Sequence, residues 1–183
     1  MKTLSVGIHL LFLPLFSLIL SHATFAQDQP GPRISPLAIA ATRYKDAYLK
    51  ITYSQPQKKG RDVFGALVPY GKVWRTGANE ATEITLTKDM TINSTLLKAG
   101  TYSLFTIPDK DKWTIIINSE NGLWGSYNYN QKLDVMRFNV PVQLISDKIY
   151  EQLTLTIDAK NSSADLLITW DNVKVSIPLK FLN

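Results

Sequence analysis

"LLITWDNVKVSIPL", Leu166 to Leu179, decides the fold. Leu166, Ile168 and Trp170 alternate with other side chains, Asp171-Asn172 supplies a turn pair, and Val173, Val175, Ile177 and Leu179 alternate again. An apolar period of two on either side of a short polar turn is the pattern of a β-hairpin with one buried face. The same style runs back along the chain. Residues 48–54 place Leu49, Ile51 and Tyr53 together, and residues 82–87 place Ile84 and Leu86 together. Short strands are expected at 90–93 and 95–97 around an Asn93-Ser94 turn, at 101–107, and at 113–118 beyond the polar turn 108–112. Residues 135–142 and 153–157 alternate likewise. Many short strands separated by turn signals predict an all-β chain, a single antiparallel β-sandwich of jelly-roll type with long loops at one end. Two places are less regular. Residues 37–42 read as a first strand or a short helix, and residues 62–67 as a helical turn.

The fold does not claim the whole chain of 183 residues. Lys2 precedes an uncharged apolar run over residues 4–20, followed by small-residue cleavage choices at Ser21-His22-Ala23 and Thr24-Phe25-Ala26. This is the pattern of a secretory signal peptide, expected over residues 1–26. The run is short for a membrane span and carries Pro14, so no integral membrane segment is expected after cleavage. Residues 27–36, with Pro30, Gly31, Pro32 and Pro36, read as an extended leader. A single domain is expected over residues 37–183, and the location is periplasmic or extracellular.

Composition then narrows the chemistry. Both histidines, His9 and His22, fall in the signal segment, and the chain has no cysteine. The exported part thus lacks the Ser-His-Asp and Cys-His sets and the usual zinc ligands. No metal and no cofactor are expected. Loss of Lys2 lowers Lys+Arg from 20 to 19 against 15 acids, a net +4. The basic residues are scattered, apart from Lys58-Lys59-Gly60-Arg61 with Asp62 next to it, which reads as a solvated loop. No nucleic-acid partner is expected.

Two segments escape the strand pattern. Residues 55–80 are long for a structureless connection, which marks a functional loop or a packed Ω-like one. They end in Trp74-Arg75-Thr76-Gly77-Ala78-Asn79-Glu80, a large aromatic, a guanidinium, a carboxamide and a carboxylate within seven residues. Residues 120–132 carry Trp124, Tyr127 and Tyr129 around Gly122 and Gly125. The cluster has two readings. Arg75, Asn79 and Glu80 form a ligand site walled by Trp74, Trp124, Tyr127 and Tyr129, with a glycan or another small polar ligand as partner. Alternatively they form a polar knot, with Arg75 paired to a carboxylate such as Glu80 and Asn79 bonding loop backbone. Glu80 is also the candidate catalytic carboxylate of a glycan hydrolase. That chemistry needs a second carboxylate, and Asp62, Asp111, Glu120 and Asp134 are the candidates.

The motifs "ITYSQPQKKGRDVFGALVPYGKVWRTGANEATEITLTKDM", "LKAGTYSLFTIP", "WTIIIN" and "WGSYNY" occur in that order. With them the chain resembles a family of secreted bacterial proteins, found mainly in Bacteroidota, that is classed as a domain of unknown function. Its signature reads PYG-x-x-WR-x-G-x-N-E. The resemblance runs from about Ser35 to the C-terminus and implies an exported β-rich domain. It implies no activity and no catalytic residue. The function expected is a non-catalytic binding or envelope-associated module, with a glycan hydrolase and a purely structural envelope protein as alternatives.

Overall fold

The computed structural model describes residues 33–182, so the expected signal peptide and residues 27–32 of the leader lie outside the described residues. Among the described residues twelve strands follow in order: β1 (Leu37–Tyr44), β2 (Ala47–Ser54), β3 (Thr82–Leu86), β4 (Met90–Ile92), β5 (Thr95–Leu97) and β6 (Gly100–Ile107). Then come β7 (Lys112–Asn118), β8 (Asp134–Pro141), β9 (Gln143–Leu144), β10 (Tyr150–Lys160), β11 (Ser163–Asp171) and β12 (Val173–Phe181). They form two antiparallel sheets, β1-β2-β3-β6-β7-β8 and β10-β11-β12-β4-β5, with β9 beside β12. The fold is an all-β sandwich.

The hairpin that opened the sequence reading is β11–β12. Leu166 pairs with Ile177, Ile168 with Val175 and Trp170 with Val173. All six are buried, because a side-chain period of two sends one face of each strand into the space between the sheets. Facing them from the first sheet are Leu49, Ile51, Ile84, Leu104, Ile115 and Ile117. Each buried aliphatic side chain stabilises the fold by about 1.5–3 kcal/mol.

The two ambiguous segments resolve clearly. Residues 37–42 are strand, paired with β2 from Leu37↔Ser54 to Tyr44↔Ala47. Residues 62–67 do not form a helix. Gly65, at φ 92, breaks the helical path, and Val68 closes the turn by donating to the Val63 carbonyl at 2.8 Å. The regular helix among the described residues is a three-residue 3-10 turn, Gln131–Leu133, capped by the Asn130 side chain.

Residues 55–80 reach across from one sheet to the other. Gln57 bridges to Gln152 on β10, and Trp74 bridges to Thr106 on β6. Between these anchors the loop sends Val63, Phe64, Val68 and Trp74 into the main core. Trp74 stacks on Trp170 with ring centres 6.0 Å apart, and stands edge-on to Trp113 at 6.0 Å and to Phe64 at 6.3 Å. The loop is therefore a packed one, held by apolar burial where a strand would use ladder hydrogen bonds.

A smaller core lies on the outer face of the first sheet. Phe105 and Ile116 pair across β6 and β7 on the side opposite Leu104, Ile115 and Ile117. Ala81, Val73, Leu123 and Tyr129, supplied by the two loops and the residue before β3, cover them. This second burial brings the loops together and sets the position of the candidate site.

Candidate functional site

The two loops are joined by a short antiparallel ladder. Ala81 N–H donates to the Leu123 carbonyl at 2.8 Å and Gly125 N–H to the Asn79 carbonyl at 2.9 Å, with Glu80 opposite Trp124. Ser126 Oγ adds a bond to the Val73 carbonyl at 3.1 Å. Residues facing each other across such a pair share a side of the sheet, so Glu80 and Trp124 are lateral neighbours. Gly125 is required here. It sits at φ 71, and a Cβ on it would stand 2.8 Å from Tyr127 Cε2, since the Tyr127 ring lies over its backbone.

Glu80 is ion-paired, and its partner is Arg33. Arg33 Nη1 donates to Oε2 and Nη2 to Oε1, both at 2.6 Å, a two-pronged fork. The side chains are 46% and 40% exposed. The hydrogen bonds from Arg33 hold the Glu80 carboxyl below the usual carboxylate range, partly offset by burial. A folded-state pKa lowered in this way contributes stability above the unfolded value of 4.5 and loses it as pH falls through the folded value. Accordingly, Glu80→Gln is expected to flatten the acid limb of the stability profile below pH 4.5, read by thermal unfolding across pH. Solvent screens an exposed pair, so the effect is small and fades in high salt. An unchanged acid limb would mean the fork does not persist in solution.

Arg75 does not pair with Glu80. Among the described residues it has no salt bridge and no hydrogen-bonded side-chain atom, and its Nε is buried with no partner. Burial pushes its pKa below the usual arginine value, opposed by the nearby Tyr127 phenol. A half-buried guanidinium without an acceptor is costly, because buried polar and charged groups are normally paired. Trp124 is 60% exposed and Tyr127 is 83% exposed, so two aromatic faces stand open beside the loop junction.

Three of the expected residues serve the fold. Trp74 is 8% exposed, and its Nε1–H donates to the Gly77 carbonyl at 3.0 Å. It is a core residue and does not wall a ligand site. Asn79 adopts φ 57, a conformation its short side chain tolerates, and its amide donates to the Ser35 carbonyl and Ser54 Oγ, each at 3.3 Å. Tyr129 stands edge-on to Phe105 at 5.1 Å, donates to Asp134 Oδ2 at 2.6 Å and accepts from Arg137 Nη1 at 3.0 Å.

Burial and the Asp134 carboxylate raise the Tyr129 pKa to about 12. The stability carried by the neutral phenol is complete below the unfolded value of 10.0 and is lost as pH rises through about 12. Ultraviolet titration is expected to show one phenol ionising near 12 that Tyr129→Phe removes. A variant with the same late titration would reassign it.

Thr76 adds a constraint. It is buried at φ 54, unusual for a β-branched residue, with Oγ1 bonded to Thr106 Oγ1 at 3.1 Å. Such a conformation costs about 1–3 kcal/mol and persists only where neighbours impose it. Here Thr82 supplies the constraint, donating from Oγ1 to the Thr76 carbonyl at 2.8 Å and from its N–H to the Arg75 carbonyl at 3.0 Å.

The carboxylates named for hydrolysis are dispersed. Asp62 and Asp111 line a cleft of ≈ 670 Å³, which Glu80 does not line. Asp134 is taken up by Tyr129, Arg137 and Asn118. Glu80 shares a ≈ 230 Å³ pocket with Glu83, whose Oε1 accepts from Gly122 N–H at 3.0 Å. Among the described residues no group of three or more His, Cys, Asp or Glu side chains could hold a metal ion, and no helix is long and apolar enough to cross a membrane.

A family model described as "Protein of unknown function (DUF2911)" matches residues 35–179. The chain belongs to that family. No curated protein and no solved structure matches it. The DUF2911 match takes in both loops and every expected site residue, while Arg33, the partner of Glu80, lies two positions before it. Sequence reasoning missed Arg33, assigned to an extended leader. The available signal for Arg33 was a lone cation in a Pro/Gly segment, which names no partner.

Proposed function

We propose that this DUF2911 domain is a binding module without catalysis of its own, exported to the periplasm or the cell exterior, whose ligand places an anionic group against Arg75. The observation that carries this reading is the half-buried Arg75 guanidinium with an unpartnered Nε, near Tyr127. A carboxylate, sulfate or phosphate supplies the paired acceptors a guanidinium fork takes best. A glycan bearing such a group is one ligand of this kind, with Trp124 and Tyr127 as its stacking faces. The Arg33 fork keeps Glu80 ionised, which suits it poorly for donating a proton at neutral pH and weighs against it as the acid of the hydrolase alternative.

Titration calorimetry with uronate, sulfated and neutral oligosaccharides, on wild type and Arg75→Met, tests the reading. Charged ligands are expected to bind, with salt weakening them, and Arg75→Met to remove that binding. Equal affinity for charged and neutral partners, or binding unaltered in the variant, would exclude Arg75 as the contact and leave a structural envelope protein as the alternative. For export, mass spectrometry of the protein from its native host is expected to find an N-terminus at Gln27 or Thr24. A chain still starting at Met1 would overturn it.

A further inference from the structure

β1 is an outer strand of the first sheet, hydrogen-bonded to β2 on one side and to no described strand on the other. Gln55 N–H donates to the Pro36 carbonyl at 2.8 Å, which sets the phase of the β1–β2 ladder. In an antiparallel pair, hydrogen-bonded positions alternate with non-bonded ones, so Ala38, Ala40 and Thr42 bond to β2. The N–H and C=O groups of Leu37, Ile39, Ala41 and Arg43 point the other way, out of the sheet edge. Among the described residues these groups have no hydrogen-bond partner. All four residues are exposed, Ile39 to 62%.

The other edges are closed or blunted, as folded proteins commonly arrange. On β10, Tyr53 Oη donates to the Leu155 carbonyl at 3.4 Å and accepts from Leu155 N–H at 3.0 Å. Gln55 Nε2 donates to the Leu153 carbonyl at 3.1 Å, Leu153 N–H to the Pro56 carbonyl at 3.0 Å, and Lys58 N–H to the Glu151 carbonyl at 2.8 Å. β8 carries a register shift against β7, an Arg137–Asp134 ion pair and Pro141. β5 and β9 are three and two residues long. β1 has none of these devices: it is eight residues long, in continuous register with β2, without proline and with Arg43 as its one charge. A long, regular, apolar edge is a template for another strand.

We propose that β1 pairs with β1 of a second copy, antiparallel about a two-fold axis at Ala40, so that two sandwiches share one continuous sheet. This register sets Leu37 opposite Arg43 and Ile39 opposite Ala41 of the second copy, and it pairs every open donor and acceptor of the edge. A large side chain thus faces a small one at Ile39 and Ala41. Leu37 lines the ≈ 230 Å³ pocket that Glu80 and Glu83 share with Arg33, two carboxylates against one guanidinium. The second copy's Arg43 therefore arrives beside a negative pocket, while the two Arg43 positions stay six residues of strand apart, about 20 Å. Neighbouring registers fit less well. Centring on Ile39 calls on Ser35, whose carbonyl already accepts from Asn79. Centring on Ala41 calls on Lys45, which at φ 53 has left the strand. The pairing uses up the edge, so the assembly closes at two copies. It is independent of the reading of Arg75 as an anion contact.

The test is sedimentation velocity of the exported protein from about 1 μM to 1 mM, where a reversible dimer is expected. Ala41→Pro removes an outward N–H and no β1–β2 bond, and Ile39→Lys sets a charge on the open edge. Each should raise the dissociation constant by about tenfold or more and leave the melting temperature of the dilute monomer in place. Arg43→Glu should weaken the dimer in low salt more than in high salt; an unchanged constant would overturn the charge match. The chain has no cysteine, so single introduced thiols report the register. Ala40→Cys should cross-link to its own copy under mild oxidation, because directly opposed non-bonded positions stand about 4.5 Å apart. Thr42→Cys, about 14 Å from its counterpart, should not. The reverse pattern, or a dimer with neither cross-link, would overturn the register. A monomer throughout the concentration range, a larger assembly, or a dimer untouched by both Ala41→Pro and Ile39→Lys would overturn the pairing itself.

Discussion

Trp74→Ala is expected to destabilise the domain by about 3–5 kcal/mol, the cost of truncating a large aromatic in a packed core. Trp74 is 8% exposed, contacts Phe64, Trp113 and Trp170, and belongs to the loop whose anchors span both sheets. Its removal leaves a void where loop and sandwich share a core. For a domain of this size the loss lowers the melting temperature by about 10 °C. Trp74→Phe separates two contributions. It keeps much of the ring contact and gives up the Nε1–H bond to the Gly77 carbonyl, leaving that acceptor unpaired at a cost of about 1–3 kcal/mol. Urea denaturation measures both. A loss below about 1 kcal/mol for Trp74→Ala would mean the loop packs independently of the sandwich.

The second large effect has opposite signs for binding and stability. Arg75→Met is expected to cost at least about 2 kcal/mol of binding to an anionic ligand, roughly thirtyfold, because truncating one partner of a buried charge pair leaves the other unpaired. The same change is expected to stabilise the free protein by about 1 kcal/mol. Methionine keeps an apolar stem of similar reach and removes a guanidinium whose buried Nε has no acceptor. Sites kept for a ligand commonly cost stability in its absence. The urea midpoint should rise with an unchanged slope, which reports stability rather than compactness. A variant that is destabilised and still binds the anion would make Arg75 a structural residue, the polar-knot reading.

Between these outcomes lies the history of the Arg75–Glu80 pair. Sequence proximity suggested that the two would meet, since they are opposite charges in one short loop. The fold separates their roles: Thr76 at φ 54 and Asn79 at φ 57 turn the chain twice between them. Glu80 is consequently free to take its partner from residue 33, 47 positions earlier, while Arg75 is left without one. The aromatic residues divide in the same way. Trp74 and Trp124 have the same side chain, yet one is in the core and the other is 60% exposed. The difference is the neighbour across the bridge: Thr106, on a strand with buried faces, for Trp74, and Glu80, at the rim, for Trp124.

What the sequence determined by itself was the class of fold, the positions of most strands and the two irregular loops. Alternation of apolar residues and turn chemistry are local properties, and burial between two sheets rewards every repeat of that period, so the hairpin at residues 166–179 could be read without its neighbours. The absence of His beyond residue 22, and of Cys throughout, was equally legible and left no Ser-His-Asp or Cys-His set among residues 23–183. Only the tertiary structure decided which polar residues of the loops pair, which are spare and which aromatic rings are buried. Those outcomes rest on contacts between residues far apart in the chain, such as Arg33 with Glu80 and Asn79 with Ser54. A pairing of that kind is a property of distance in space, and no period or spacing along the chain encodes it.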